Sequence, residues 1–131
     1  MAMGFSTTLR TARAQAIVTT LGNACLFKCY DGTRPATGGT ATTLLATLTG
    51  GAPAGTATNG VLTFNTIASD TAADATGTCT WVRITDSSGT FVADMSAGIA
   101  GSGAEVIFNN ADFVIGYPVG ISSATITEGN A

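Results

Sequence analysis

After Gly22 no apolar run lasts long: short segments rich in Val, Ile, Thr and aromatic residues alternate with clusters of Gly, Pro, Asp and Asn. β-Branched and aromatic side chains suit a pleated, half-buried surface, whereas Gly, Pro, Asp and Asn suit turns. Such a texture belongs to all-β sandwiches and barrels. About seven strands are expected, at residues 24–30, 42–49, 60–67, 77–85, 90–96, 105–108 and 119–127. The fold class expected is all-β: a single β-sandwich, jelly-roll or immunoglobulin-like, preceded by one N-terminal α-helix. A length of 131 residues fits one domain, divided into an arm (1–5), a helix (7–21) and the sandwich (24–127).

The helix is marked at both ends, with Ser6 placed to cap its N-terminus and Gly22 to stop it. At 3.6 residues per turn Ala14, Ile17, Val18 and Leu21 share a face, with Arg10 at its end, while Thr11, Arg13 and Thr19 fall mainly elsewhere. That face should dock on the sheet.

The segment "GTCTWVRITDSSGTFVADMSAG" (77–98) reads as a hairpin, with Asp86 opening the turn and Gly89 taking a left-handed conformation. Val82 and Ile84 project to one face, Trp81 and Arg83 to the other, so both faces are partly apolar. One face should line the core; the other should be covered by the helix, a loop or another subunit, with cover from within the chain the expectation. Trp81 is expected in the core.

Charged residues make up only 10% of the chain, against about 25% in ordinary soluble domains, and the mean hydropathy is +0.37. A net charge of −3 with five scattered cations argues against a nucleic-acid partner, whose phosphates favour stripes of Lys and Arg. No apolar run approaches the about 20 residues that span a bilayer, and the first residues do not read as a signal peptide, so no membrane partner and folding in a cytoplasm are expected.

Chemistry is sparse in the sequence. Without histidine, Ser-His-Asp and Cys-His arrangements cannot be assembled from this chain. Cys25, Cys29 and Cys79 are odd in number and read as small buried thiols rather than zinc ligands. Asp70 and Asp74 read as turn-solvating carboxylates, and Glu105 and Glu128 as surface charges or local ion-pair partners. The Gly-rich "TGGT" and "GSG" lack the Lys-Ser/Thr of a phosphate loop. The expectation is a protein that is not an enzyme, with no cofactor, no metal and no catalytic residue.

Three regions are candidates for partner contact. Met1, Met3 and Phe5 put apolar side chains on a terminal arm, which calls for cover by a partner or by the domain itself. The loops at 34–40 and 50–59 are long, small and Gly-rich, of a kind that becomes ordered against a partner. They contribute Arg34, Pro35, Pro53 and Asn59 as contact residues.

Two stretches carry a family resemblance. "LGNACLFKCYDGTRPATGGTATTLLATLT" (21–49), and the hairpin followed by "PVGISSATITEGNA" (118–131), resemble small virion structural proteins of tailed bacteriophages, with "YDGTRPATGG" the most specific part. Cys25 and Cys29 depart from the pattern. The resemblance implies a capsid decoration or cement protein on the virion surface, made in the host cytoplasm. It would act as a homo-oligomer whose partners are the major capsid protein and neighbouring copies. A tail, neck or head-completion subunit is the alternative, and a glycan-binding module on the virion, with Trp81 or Tyr117 as stacking platform, a more distant one. A charge-poor surface suits permanent packing, because burying Lys or Glu carries a desolvation cost.

Overall fold

In the computed structural model, which describes residues 4–128, the helix lies where its caps place it. α1 (Thr7–Leu21) starts after Ser6, whose side chain accepts the Leu9 N–H at 3.1 Å. It ends at Gly22, where φ is 65° and the N–H bonds to the Val18 carbonyl. Ala14, Val18 and Leu21 are buried and Ile17 half-buried, the face expected from the 3.6 period.

Ten strands follow: β1 (Leu26–Tyr30), β2 (Leu44–Thr49), β3 (Gly55–Thr58), β4 (Val61–Phe64), β5 (Gly77–Thr78), β6 (Trp81–Thr85), β7 (Phe91–Ile99), β8 (Val106–Phe108), β9 (Asp112–Phe113) and β10 (Ile121–Thr127). Eight form one sheet in the order β2-β1-β6-β7-β8-β10-β4-β3, antiparallel throughout except at β7–β8; β5 and β9 make a separate pair. Each expected segment contains a strand, but 77–85 divides into β5 and β6, and two strands, β3 and β9, were not expected. The main sheet has eight strands rather than about seven.

β3 lies inside the stretch read as a contact loop. Asn59 (φ 51°) and Gly60 (φ 77°) form a two-residue connection that sets Thr58 opposite Val61. Two left-handed residues in succession give a turn whose twist matches that of the flanking strands, which is why Asn-Gly favours hairpins. β3 and β4 then provide the platform on which α1 packs.

The sheet curls. Thr49, at the end of β2, pairs with Ala68, just beyond β4, and Phe27 of β1 meets Phe64 of β4 edge-on at 5.1 Å between ring centroids. Strands far apart in sheet order thus share one core, which includes Leu45, Leu48, Leu62, Val82, Ile84 and Phe108. The outer edge of β2 is covered as well. Asp70 accepts the Thr47 N–H at 3.0 Å, and the Asp74 N–H reaches the Leu45 carbonyl. Asp70 therefore protects an edge strand instead of merely solvating a turn.

Trp81 is fully buried, but outside the core cluster that holds Val82 and Ile84. It sits on the outer face of the sheet, stacked on Tyr30 at 4.5 Å, with the Arg83 guanidinium 5.2 Å from its ring centre. The segment 31–43 closes over this face. Trp81 Nε1 donates to the Asp31 carbonyl and to Thr42 Oγ1, Thr80 Oγ1 donates to the Gly32 carbonyl, and Arg83 donates to the Gly39 carbonyl. The mixed apolar pattern of the hairpin thus has its explanation in a loop of the same chain. At the hairpin's turn Asp86 accepts the N–H groups of Ser88 and Thr90, and Gly89 is left-handed at φ 88°.

Candidate functional site

Two of the expected contact residues lie close together. Phe5 is half-buried, with the Arg13 guanidinium 5.1 Å from its ring centre. Arg13 pairs with Glu128 at 3.1 Å, the Glu128 N–H bonds to the Gly60 carbonyl, and the Gly60 N–H bonds to Thr11 Oγ1. Phe5 and the exposed Asn59 therefore belong to one surface at the Glu128 end of β10. Beside Asn59 an open cleft of about 380 Å³ runs between Thr7, Thr8 and Thr11 of α1 and Ala57–Thr58 of β3. Met1 and Met3 lie outside the described residues.

The other three are placed elsewhere. Arg34 is exposed and Pro35 half-buried on the segment that covers Trp81. Pro53 is exposed and its carbonyl accepts a hydrogen bond from Asn65 Nδ2 at 3.0 Å. Beneath the covering segment Arg83 and Asp94 form an ion pair at 2.7 Å, and Asp94 also accepts the Gly38 N–H. Burial works to raise the Asp94 carboxyl, but the hydrogen bonds from Arg83 and Gly38 and the charges of Arg83 and Arg34 outweigh it. Asp94 consequently titrates below the ordinary aspartate range.

A second surface feature lies at the opposite end of β10, about 20 Å away at 3.3 Å per residue. A cleft of about 580 Å³ is lined by Asn109, Asn110, Asp112, Val114, Tyr117 and Pro118, with Phe113 also contributing. Tyr117 is 66% exposed, and Val114 and Ile115 beside it are also exposed. The segment is held firmly. Ala73 exchanges backbone bonds with Gly116 and Tyr117, Asp70 exchanges two with Val119, and the Ile115 N–H bonds to Thr76 Oγ1. Asn110 Oδ1 accepts the Asp112 N–H, and Thr78 Oγ1 donates to Asp112 at 2.6 Å. Of the residues lining the cleft sequence reasoning singled out only Tyr117. The available signal was "FVIGYP", an apolar run outside every expected strand.

Trp81 cannot serve as a stacking platform, because it is fully covered. The three thiols are buried and unpaired. The hydrogen bond with Cys79, and then burial, push the Cys29 thiol well above its ordinary range, and burial pushes Cys25 up. Among the described residues no three His, Cys, Asp or Glu side chains come together to hold a metal ion, and no helix is long and apolar enough to cross a membrane. The chain matches no protein-family model, no curated protein and no solved structure.

Proposed function

We propose that the chain is a structural protein of a tailed-bacteriophage virion, a decoration or cement subunit that docks on the capsid lattice through the end carrying Phe5 and Asn59. The observation that carries this reading is that Phe5 and the Asn59 turn meet one surface, linked through Arg13, Glu128 and Gly60. Two regions far apart in sequence, each a contact candidate on its own grounds, become one docking surface. The resemblance of residues 21–49, 77–98 and 118–131 to virion structural proteins supports the same reading. The two halves of the curled sheet, facing each other across Phe27 and Phe64, support a β-sandwich as the rigid body that is displayed.

A subunit of this kind works by area and copy number. At the about 800 Å² per partner of a standard interface, contacts with the major capsid protein and with neighbouring copies would reinforce the shell by repetition. Quantitative mass analysis of purified virions tests the assignment. Hundreds of copies per particle are expected; about a dozen, the number a ring would hold, would move the protein to the neck or tail. Removing residues 1–5 should lower occupancy on particles while leaving the fold of the free chain intact by circular dichroism, and full occupancy after that deletion would refute docking through the arm.

A further inference from the structure

We propose that the cleft beside Tyr117 binds a neutral saccharide. The site goes beyond the virion reading, does not depend on it, and lies at the end of β10 away from Phe5 and Asn59.

Among the described residues Tyr117 is the most exposed of the large apolar side chains, whereas Phe27, Trp81, Phe108 and Phe113 are all buried. An aromatic ring left out of the core offers a flat apolar surface with a polar tip, which is what the C–H face of a pyranose needs for stacking. Polar groups line the same cleft. Asn109 makes no hydrogen bond within the described chain, Asn110 uses only its Oδ1, and Asp112 only its Oδ1. An amide both donates and accepts, and a carboxylate accepts at two oxygens, so the group can meet adjacent hydroxyls in either sense. The volume of about 580 Å³ falls within the range of sites that hold small ligands.

Rigidity favours the same ligand. Binding a small polar molecule leaves little free energy with which to order a loop, and here the backbone bonds to Asp70, Ala73 and Thr76 have already ordered it. They also weigh against a peptide, because the backbone groups of Gly116, Tyr117 and Val119 are engaged and cannot extend a β-ladder. A proline-rich peptide calls for a groove lined by several aromatic rings, and this cleft has one exposed ring. Charge decides between sugars. No Lys or Arg occurs in residues 109–120 or in the facing residues 69–79, while Asp112, Asp70 and Asp74 do, so acidic sugars and phosphates are disfavoured.

The test is a ¹H–¹⁵N NMR titration of the full chain with lactose, maltotriose, cellotriose and triacetylchitotriose in turn. At least one should give saturable shifts centred on Asn109, Asn110, Asp112 and Tyr117. Tyr117→Ala should weaken that binding about ten-fold or more, and Asn109→Ala measurably, with the unfolding midpoint of both variants unchanged. No saturable shift with any of the four sugars overturns the proposal. So does a proline-rich peptide that binds the cleft where the sugars do not, or shifts there that follow protein concentration alone, which would mark a contact between copies. Occupancy of Tyr117→Ala on particles separates the two readings: it should match wild type. Reduced occupancy without sugar binding would make the cleft a capsid contact, sinking the saccharide site and leaving the virion assignment intact.

Discussion

Replacing Arg83 by Met tests how the outer face of the sheet is held. The Arg83 side chain is 14% exposed and that of Asp94 3%, and they meet at 2.7 Å (Nε to Oδ1) and 3.1 Å (Nη2 to Oδ2). Arg83 Nη2 also donates to the Gly39 carbonyl at 2.8 Å, and Asp94 accepts the Gly38 N–H at 3.0 Å. The pair therefore joins β6, β7 and the covering segment at one point. Arg83→Met keeps an apolar stem but leaves the Asp94 carboxylate buried with only the Gly38 N–H. Breaking a buried pair from one side costs about 3–5 kcal/mol, against about 0–1 kcal/mol for an exposed one. A loss of about 3–5 kcal/mol is expected, and Arg83→Met/Asp94→Leu should recover much of it, because no buried charge then remains. Urea unfolding followed by Trp81 fluorescence is the assay. Trp81 is the only tryptophan and lies under the same segment, stacked on Tyr30. At a slope of about 2 kcal/mol/M the single variant should move the midpoint by roughly 2 M.

The same pair has a pH signature. Asp94 titrates lower in the folded chain than unfolded, so its stabilisation is fully present above the unfolded aspartate value of about 3.9 and is lost as pH falls through the folded one. Wild type should weaken below about pH 4, and the double variant less over that window. A single-variant cost below about 1 kcal/mol, or a double variant no more stable than the single, would refute the buried-pair account.

Three further outcomes are expected. Gly60→Ala puts a side chain at φ +77° and a Cβ 3.0 Å from that of Arg10, and should cost about 1–3 kcal/mol in thermal unfolding. Asp70→Ala removes the acceptor for the Thr47 and Ala72 N–H groups, with a loss of about 1–2 kcal/mol and faster hydrogen exchange at Thr47; unchanged exchange there would show that the β2 edge is protected by other means. The three buried thiols should react with a disulfide reagent only as fast as the chain unfolds, and rapid labelling of any one in the native protein would contradict their burial.

Features set by a few neighbouring residues were legible in the sequence. Ser6 and Gly22 bound the helix, Asp86 and Gly89 fix the hairpin turn, and the docking face of α1 follows from its period. Asn59-Gly60 was equally local, but the small residues Gly55–Thr58 lack the bulky β-branched run that announces a strand, and so β3 read as loop. What depends on distant partners did not show. Nothing near Asp31 or Thr42 reveals that they accept hydrogen bonds from Trp81, 50 and 39 positions away. The cleft at Tyr117 was hidden for the same reason, because its frame is built by pairing 70–78 with 112–119.

Six of the thirteen charged side chains lie toward the two ends of β10. Arg10 and Arg13, two of its five cations, stand at the Glu128 end beside Phe5 and Asn59. At the other end Asp70, Asp74 and Asp112 belong to the segments that pair around the cleft. Three of the eight acidic residues thus lie on segments, 69–79 and 109–120, that hold no cation. Arg13 is paired with Glu128, which leaves Arg10 as the excess charge at that end, so the two ends differ in sign. In the proposed arrangement the end bearing the arm and the two arginines meets the shell, and the acidic end with its rigid cleft faces outward, where a neutral ligand can reach Tyr117 and polyanions are repelled. The opposite polarity would bury the acidic residues against the lattice at a desolvation cost and leave the arm's apolar side chains in water.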